Sequence, residues 1–203
     1  MQDIIQDIIL WKEPSKEGNI AVIEFKSISR GIIVTDSMVK ASEVRIVLST
    51  SLCPGKYLTV LEGDVAALEN TVKVADRIGG VHVFSSEIIT GINLKVIEAI
   101  GGRLCPFVID SIGIVESPHI SHLVKAADIS IDSAKVEFLD FRLARGCGVN
   151  SFYIVTGTFS SVSEAMKESV SYLGEKGSLI GYKILPGPDK EVIRWLRSSL
   201  CRC

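Results

Sequence analysis

Residues Ile20–Glu24 read IAVIE, and residues Ile112–Glu116, 92 positions on, read IGIVE. At the same offset Ile28-Ser29 falls on Ile120-Ser121, Asp36 on Asp128 and Val44 on Val136. Farther along the offset becomes 94, so that Gly63 falls on Gly157 and Lys73 on Lys167. Two extra residues therefore lie in the second copy, between Leu139 and Phe152. Identities are sparse, but the hydrophobic pattern runs the length of both halves. Self-similarity at a fixed spacing marks a duplicated structural unit.

Each half predicts the same order of elements. A strand opens it (19–25; 111–117) and a helix follows (29–42; 119–133). Val34, Met38 and Val39 share one face of that helix in the first copy, and Leu123, Ala126 and Ala127 in the second. Two strands come next (44–50 and 56–62; 135–143 and 151–156), joined by a glycine-containing loop, the hairpin signal. Asp64 and Thr158 stand where an N-cap is needed for the next helix. A fourth strand (81–86; 178–184) and a last helix (91–100; 189–198) close each unit. The expected domains are 19–102 and 110–200, joined by a linker from Gly101 to Asp110. The order βαββαβα predicts an α+β fold, a mostly antiparallel sheet with helices on one side.

The totals narrow the function classes. The chain has 203 residues, 47% apolar and 23% charged, with a net charge of −2. No block of basic residues is present, which argues against nucleic acid and anionic membrane as partners. No apolar run reaches the ~18 residues of a membrane span, and the N-terminus lacks the features of a secretory signal. A cytosolic protein is expected. Its five cysteines, Cys53, Cys105, Cys147, Cys201 and Cys203, are then not expected to form a disulfide framework. Residues 1–18 form an extension, in which Ile4, Ile5, Ile8 and Ile9 predict a short amphipathic helix ended by Pro14 and Gly18. It packs on a domain or serves as a docking peptide.

Few residues carry a chemical signal. Cys53 lies in the loop Leu52-Cys53-Pro54-Gly55, where proline fixes φ and glycine permits positive φ, so the loop can be tight. Alone, one cysteine in a turn is weak evidence, and a small buried thiol is the plainer reading. The second copy's loop reads Arg145-Gly146-Cys147-Gly148. His119 and His122, three apart near a helix start, have the spacing of a metal pair, but no further histidine or carboxylate cluster joins them. His82 is expected in a strand. No phosphate loop and no Ser–His–Asp or Cys–His set can be assembled, and an enzyme is not expected.

Several stretches together resemble the shell proteins of bacterial microcompartments. DSMVKASEV (Asp36–Val44) is similar to their helix-to-strand segment, GDVAAL (Gly63–Leu68) to their second helix start, and SLCPGK (Ser51–Lys56) stands at their pore loop. ESPHISHLVKAADIS and GYKILPGP occupy matching positions in the second half. The resemblance covers nearly all of 19–198, and it is to the tandem-domain, trimeric branch. Both halves keep the ordinary strand order, which argues against the circularly permuted branch.

That resemblance implies a homotrimer with a pseudo-six-fold outline, built beside other shell proteins in a microcompartment in the cytoplasm. In a tandem-domain relative the cysteine of the CPGK stretch comes from three subunits to one axis and holds a [4Fe–4S] cluster. Cys53 is thereby implied as an iron ligand, one per subunit, with one cluster per trimer. Its role would be electron transfer, with an encapsulated redox enzyme as a partner, or redox sensing. The pore is expected to be lined by Leu52, Cys53, Pro54 and Gly55 and by Arg145, Gly146, Cys147 and Gly148. Cys147 is a bystander, a second ring of ligands or a redox partner of Cys53. Lys40 matches the family's disc-edge lysine, but its copy is Asp132, and Leu185-Pro186-Gly187-Pro188 lacks the Arg and His of the family's edge motif. Two other readings stay open: a cluster-free pore for a small metabolite, and a small-molecule-binding regulator or enzyme of paired α+β domains.

Overall fold

The computed structural model describes residues 18–104, 108–144 and 150–200. The expected helix near the N-terminus, Cys105, Cys201 and Cys203 lie outside the described residues. In the first unit the order is β1 (Ile20–Phe25), α1 (Ile28–Ala41), β2 (Arg45–Leu52), β3 (Lys56–Glu62), α2 (Val65–Gly79), β4 (Val83–Ile89) and α3 (Leu94–Ile100). The second unit repeats it: β5 (Ser111–Ser117), α4 (Ile120–Ser133), β6 (Glu137–Arg142), β7 (Ser151–Gly157), α5 (Phe159–Glu175), β8 (Gly181–Leu185) and α6 (Lys190–Leu200). The sheets run β2-β3-β1-β4 and β6-β7-β5-β8. Every strand pair in them is antiparallel. Each unit is thus the expected α+β design in its ordinary strand order.

The duplication extends to irregularities. α1 and α4 begin and end at matching positions, and β2 and β6 bulge at matching places, Ile46/Leu48 and Phe138/Asp140. Asp64 caps α2 by accepting from the Ala67 N–H at 2.7 Å, and Thr158 caps α5 by accepting from the Ser161 N–H at 3.3 Å. Some boundaries differ from expectation for local reasons. His82 is not in a strand: Gly80, with φ +50, starts a short 3-10 turn through His82, which delays β4 to Val83. Gly91, with φ +67, and the cap Asn93 delay α3 to Leu94. Gly177, with φ +61, and the Ser178 N–H to Leu173 carbonyl bond close α5 and delay β8.

Alternation along β1 sorts the core. Ala21, Ile23 and Phe25 face α1 and α2, where they meet Val34, Met38, Leu68 and Ala75. Ile20 and Val22 face the other way, with Leu58 and Val60, into a core shared with Val96, Ile97 and Ile100 of α3. Leu123, Val124 and Ala127 of α4 belong to that same core. The two long helices therefore lie on one face of the sheet, but the expectation of helices on one side fails for α3, whose apolar residues carry it to the opposite face, where it packs between the units. Polar contacts close this joint. Asp128 accepts from the Asn93 backbone N–H at 2.8 Å and from Lys125 Nζ at 2.7 Å, and Asp132 accepts from Asn93 Nδ2 at 2.9 Å.

Matching core positions have diverged. In the first unit the hydroxyls of Thr35 and Thr59 meet at 2.7 Å in the interior. In the second, Ala127 and Tyr153 hold those positions, and the Tyr153 hydroxyl bonds Ser130 Oγ at 2.7 Å. Burial pushes the Tyr153 pKa up to about 12, against the smaller opposing effect of the Ser130 hydrogen bond.

Two outcomes follow. Ile97→Ala removes a buried side chain from the shared core and costs about 2–4 kcal/mol. Urea melts followed by circular dichroism and by tryptophan fluorescence shift together in this variant, whereas separate transitions would show independent halves. An acid held neutral by the fold contributes stability that is full below pH ~10 and is lost as pH rises toward 12. Comparing wild type with Tyr153→Phe across that window should show the steeper alkaline loss in wild type only.

Candidate functional site

The first hairpin is gripped along its length. Its ladder runs from Arg45 opposite Glu62 to Leu52 opposite Lys56. At the far end Arg45 Nε donates to the buried Glu62 carboxylate at 2.9 Å. Midway, Ser49 Oγ meets the Tyr57 hydroxyl at 2.8 Å and lies 3.5 Å from Thr59 Oγ1, which continues to Thr35. Near the tip Lys56 Nζ sits 3.6 Å from the centroid of the Phe84 ring and 3.8 Å from Glu24. This bracing holds the turn that follows Leu52 to a defined position.

Leu52 is buried in the core between the units. Cys53, Pro54 and Gly55 protrude beyond it and are exposed. The Cys53–Pro54 peptide is cis, and Gly55 has φ +76, in the region that L side chains rarely adopt. Cys53 is a free thiol at the apex. The plainer reading of the sequence, a small buried thiol, is therefore wrong: the fold presents this sulfur outward.

The second hairpin ends differently. β6 and β7 stay in register to Arg142 opposite Phe152, and the Ser151 hydroxyl accepts from the Ala144 N–H at 2.9 Å. The offset of 92 holds through β6 and 94 from β7 into α5, which narrows these two extra residues to the loop between Ala144 and Ser151; from β8 onward it is 96, as Ile89 opposite Ile20 and Leu185 opposite Ile112 show. Arg145, Gly146, Cys147 and Gly148 lie outside the described residues.

The other candidates have structural partners. His119 and His122 have ring centroids 5.3 Å apart, and His122 Nδ1 meets Ser178 Oγ at 3.0 Å. Burial, then the neighbouring His119, lowers the His122 pKa. Among the described residues no group of three or more His, Cys, Asp or Glu side chains of one chain could hold a metal ion. Lys40 is exposed near the end of α1 and pairs with Asp36 at 2.7 Å. Sequence reasoning missed Asn93, the cap that joins the units. Its signal was present, since Gly91-Ile92-Asn93 matches Gly187-Pro188-Asp189.

Comparison with known proteins sets this geometry in context. The model of the BMC domain family matches residues 19–92 and 111–188. The bacterial microcompartment shell protein PduT of Citrobacter freundii is 29% identical over 175 residues, 86% of this chain and 95% of that protein. The crystal structure of a microcompartment protein from Desulfitobacterium hafniense is similar with a TM-score of 0.84 and 30% identity, over 89% of this chain and 99% of that one. A fused, permuted hexameric shell protein from the RMM microcompartment has a TM-score of 0.53 and 20% identity, over 77% and 84% of the two chains, a likeness of fold alone.

The tight turn predicts a contrast between two glycines. Gly55→Ala places a Cβ at φ +76 and should cost about 1–2 kcal/mol. Gly174→Ala, in α5 with nothing within 4 Å of the added carbon, should instead be neutral or stabilise by up to about 1 kcal/mol. Thermal melts of the two variants decide it, and equal midpoints would contradict the assigned turn.

Proposed function

We propose, from the premise that this chain belongs to the BMC domain family, that it closes into a homotrimer in which Cys53 of each chain holds a [4Fe–4S] cluster on the three-fold axis. The family is structural, not catalytic. The chain is a shell protein of a bacterial microcompartment in the cytoplasm and assembles with other shell components. The trimer and its cluster are the finer reading, and one observation carries them: a free, outward-facing cysteine at the apex of a braced hairpin.

The donor chemistry fits. Iron–sulfur clusters take thiolate ligands, usually four. One chain offers a single thiol at this apex, so that a three-fold axis gathers three and leaves one iron position for another ligand. When bound, such a cluster supplies one-electron transfer. The chain's own part is to hold the sulfur outward. Cross-strand pairing fixes the base of the loop, Leu52 anchors it in the core and Gly55 turns it. Lys56, held between Glu24 and Phe84, places a positive charge at the foot of the same loop. Through that arrangement the trimer would pass electrons across the shell, to or from an enclosed redox enzyme, or sense redox state.

Anaerobic purification followed by iron and sulfide assay tests this reading. The expected result is one cluster per three chains, with iron lost in Cys53→Ser while the trimer's mass persists. A wild-type trimer that takes up no iron during anaerobic reconstitution would sink the cluster and leave a pore for a small metabolite.

A further inference from the structure

The joint within one chain is a template for a joint it leaves open. α3 and the outer face of the first sheet seat on α4. In the repeat, α1 is the counterpart of α4, and among the described residues its outer face has nothing seated on it. Ile28 is 38% exposed where its counterpart Ile120 is 4%, and Ile32 is 52% exposed where Val124 is fully buried. The other half of the interface is left over at the opposite end of the chain. Ile112, Leu139 and Ile154 on the outer face of the second sheet form only a small cluster, whereas their counterparts Ile20, Val47 and Val60 lie in the core between units. On α6, Val192 is 42% exposed where Val96 of α3 is fully buried.

The polar residues of the two joints correspond as well. Asn93 accepts from the Lys95 N–H at 3.1 Å, and Asp189 accepts from the Glu191 N–H at 2.8 Å. Each follows a glycine of positive φ two residues earlier, Gly91 or Gly187. The strand before each is in register, Ile89 with Ile20 and Leu185 with Ile112. Asn93 meets Asp128 and Asp132 on α4, and the counterparts of those two residues on α1 are Asp36 and Lys40.

We propose that α1 is the docking site for the second domain of another copy of this chain, clasped by an ion pair between Lys40 and that copy's Asp189. The Asp189 backbone N–H meets Asp36, as Asn93 meets Asp128. An apolar patch of the observed kind is what a heterologous, ring-forming contact needs: two different surfaces, one at each end of the chain. The clasp also makes the joints chemically unequal. Inside the chain an amide faces a carboxylate, and between chains a carboxylate faces an ammonium. Asp189 set against Asp132 would bring two carboxylates together, so the wrong pairing of ends is disfavoured.

The proposal rests on the trimer reading and deepens it by naming the joint. Its test is the solution mass of wild type, Lys40→Asp, Asp189→Lys, the double exchange and Ile32→Arg, with near-ultraviolet circular dichroism to check folding. Wild type should have the mass of three chains. Each single variant should raise the apparent dissociation constant at least about tenfold, and the double exchange should regain most of the loss. Ile32→Arg should yield folded single chains. A wild-type trimer indifferent to both charge changes, or one not regained by the double exchange, overturns the clasp and leaves the trimer standing. A trimer indifferent to Ile32→Arg overturns α1 as the docking face. A folded wild type with the mass of one chain overturns both readings.

Discussion

The first sheet has two apolar faces, and a unit of this size has only two long helices to cover them. Those helices take the face of Ala21, Ile23 and Phe25. The face of Ile20, Val22, Leu58 and Val60 would be left in water, at roughly 25 cal/mol for each Å² of apolar surface. It is satisfied only when α3 and α4 close over it. Burial on both sides makes the unit incomplete by itself, and nearly every other feature of the molecule answers that need. The fusion holds the second copy at hand, the Asn93 cap sets where the two meet, and Asp128 receives both a backbone N–H and the Lys125 ammonium so that its buried carboxylate is matched.

The same constraint places the loops. Once the sheet is clamped between two layers, its hairpins can project only from the ends of the strands. The β2–β3 turn emerges just past Leu52, which is itself part of the clamped core. Cys53 is therefore presented by a rigid base rather than a mobile loop, and a duplicated chain can present it once per chain rather than once per unit. In a ring of identical single units every apex is alike, so a ligand set with three-fold symmetry is natural to the fused form.

Much of this was legible in the residues. The match of IAVIE with IGIVE, and the Asp64 and Thr158 caps, were enough for the order of elements, because each carries a local physical signal that tertiary packing reinforces. The exposure of Cys53 was not legible, since a small apolar thiol beside a buried leucine reads equally well as core. Nor was the role of α3. Its Val96, Ile97, Ala99 and Ile100 are buried between the outer face of their own sheet and the second unit, and periodicity shows that a helix is apolar without showing what covers it. The starts of β4 and β8 were misplaced because Gly80 and Gly177 adopt positive φ, a conformation that composition permits but does not demand.

The exchange of Thr35–Thr59 for Ala127–Tyr153 has a consequence for the gene rather than for the folded chain. Two similar stretches of coding sequence in tandem invite recombination that makes them identical. Here the partners at each site have changed together: small beside large in one unit, two medium hydroxyls in the other. A crossover falling between members of a pair would set Thr59 beside Ala127, or Tyr153 beside Thr35, leaving a void in one hybrid and a clash in the other. Matched core substitutions thus act as a barrier to homogenisation. They let the halves keep separate histories, and with them the difference between the loops Leu52-Cys53-Pro54-Gly55 and Arg145-Gly146-Cys147-Gly148.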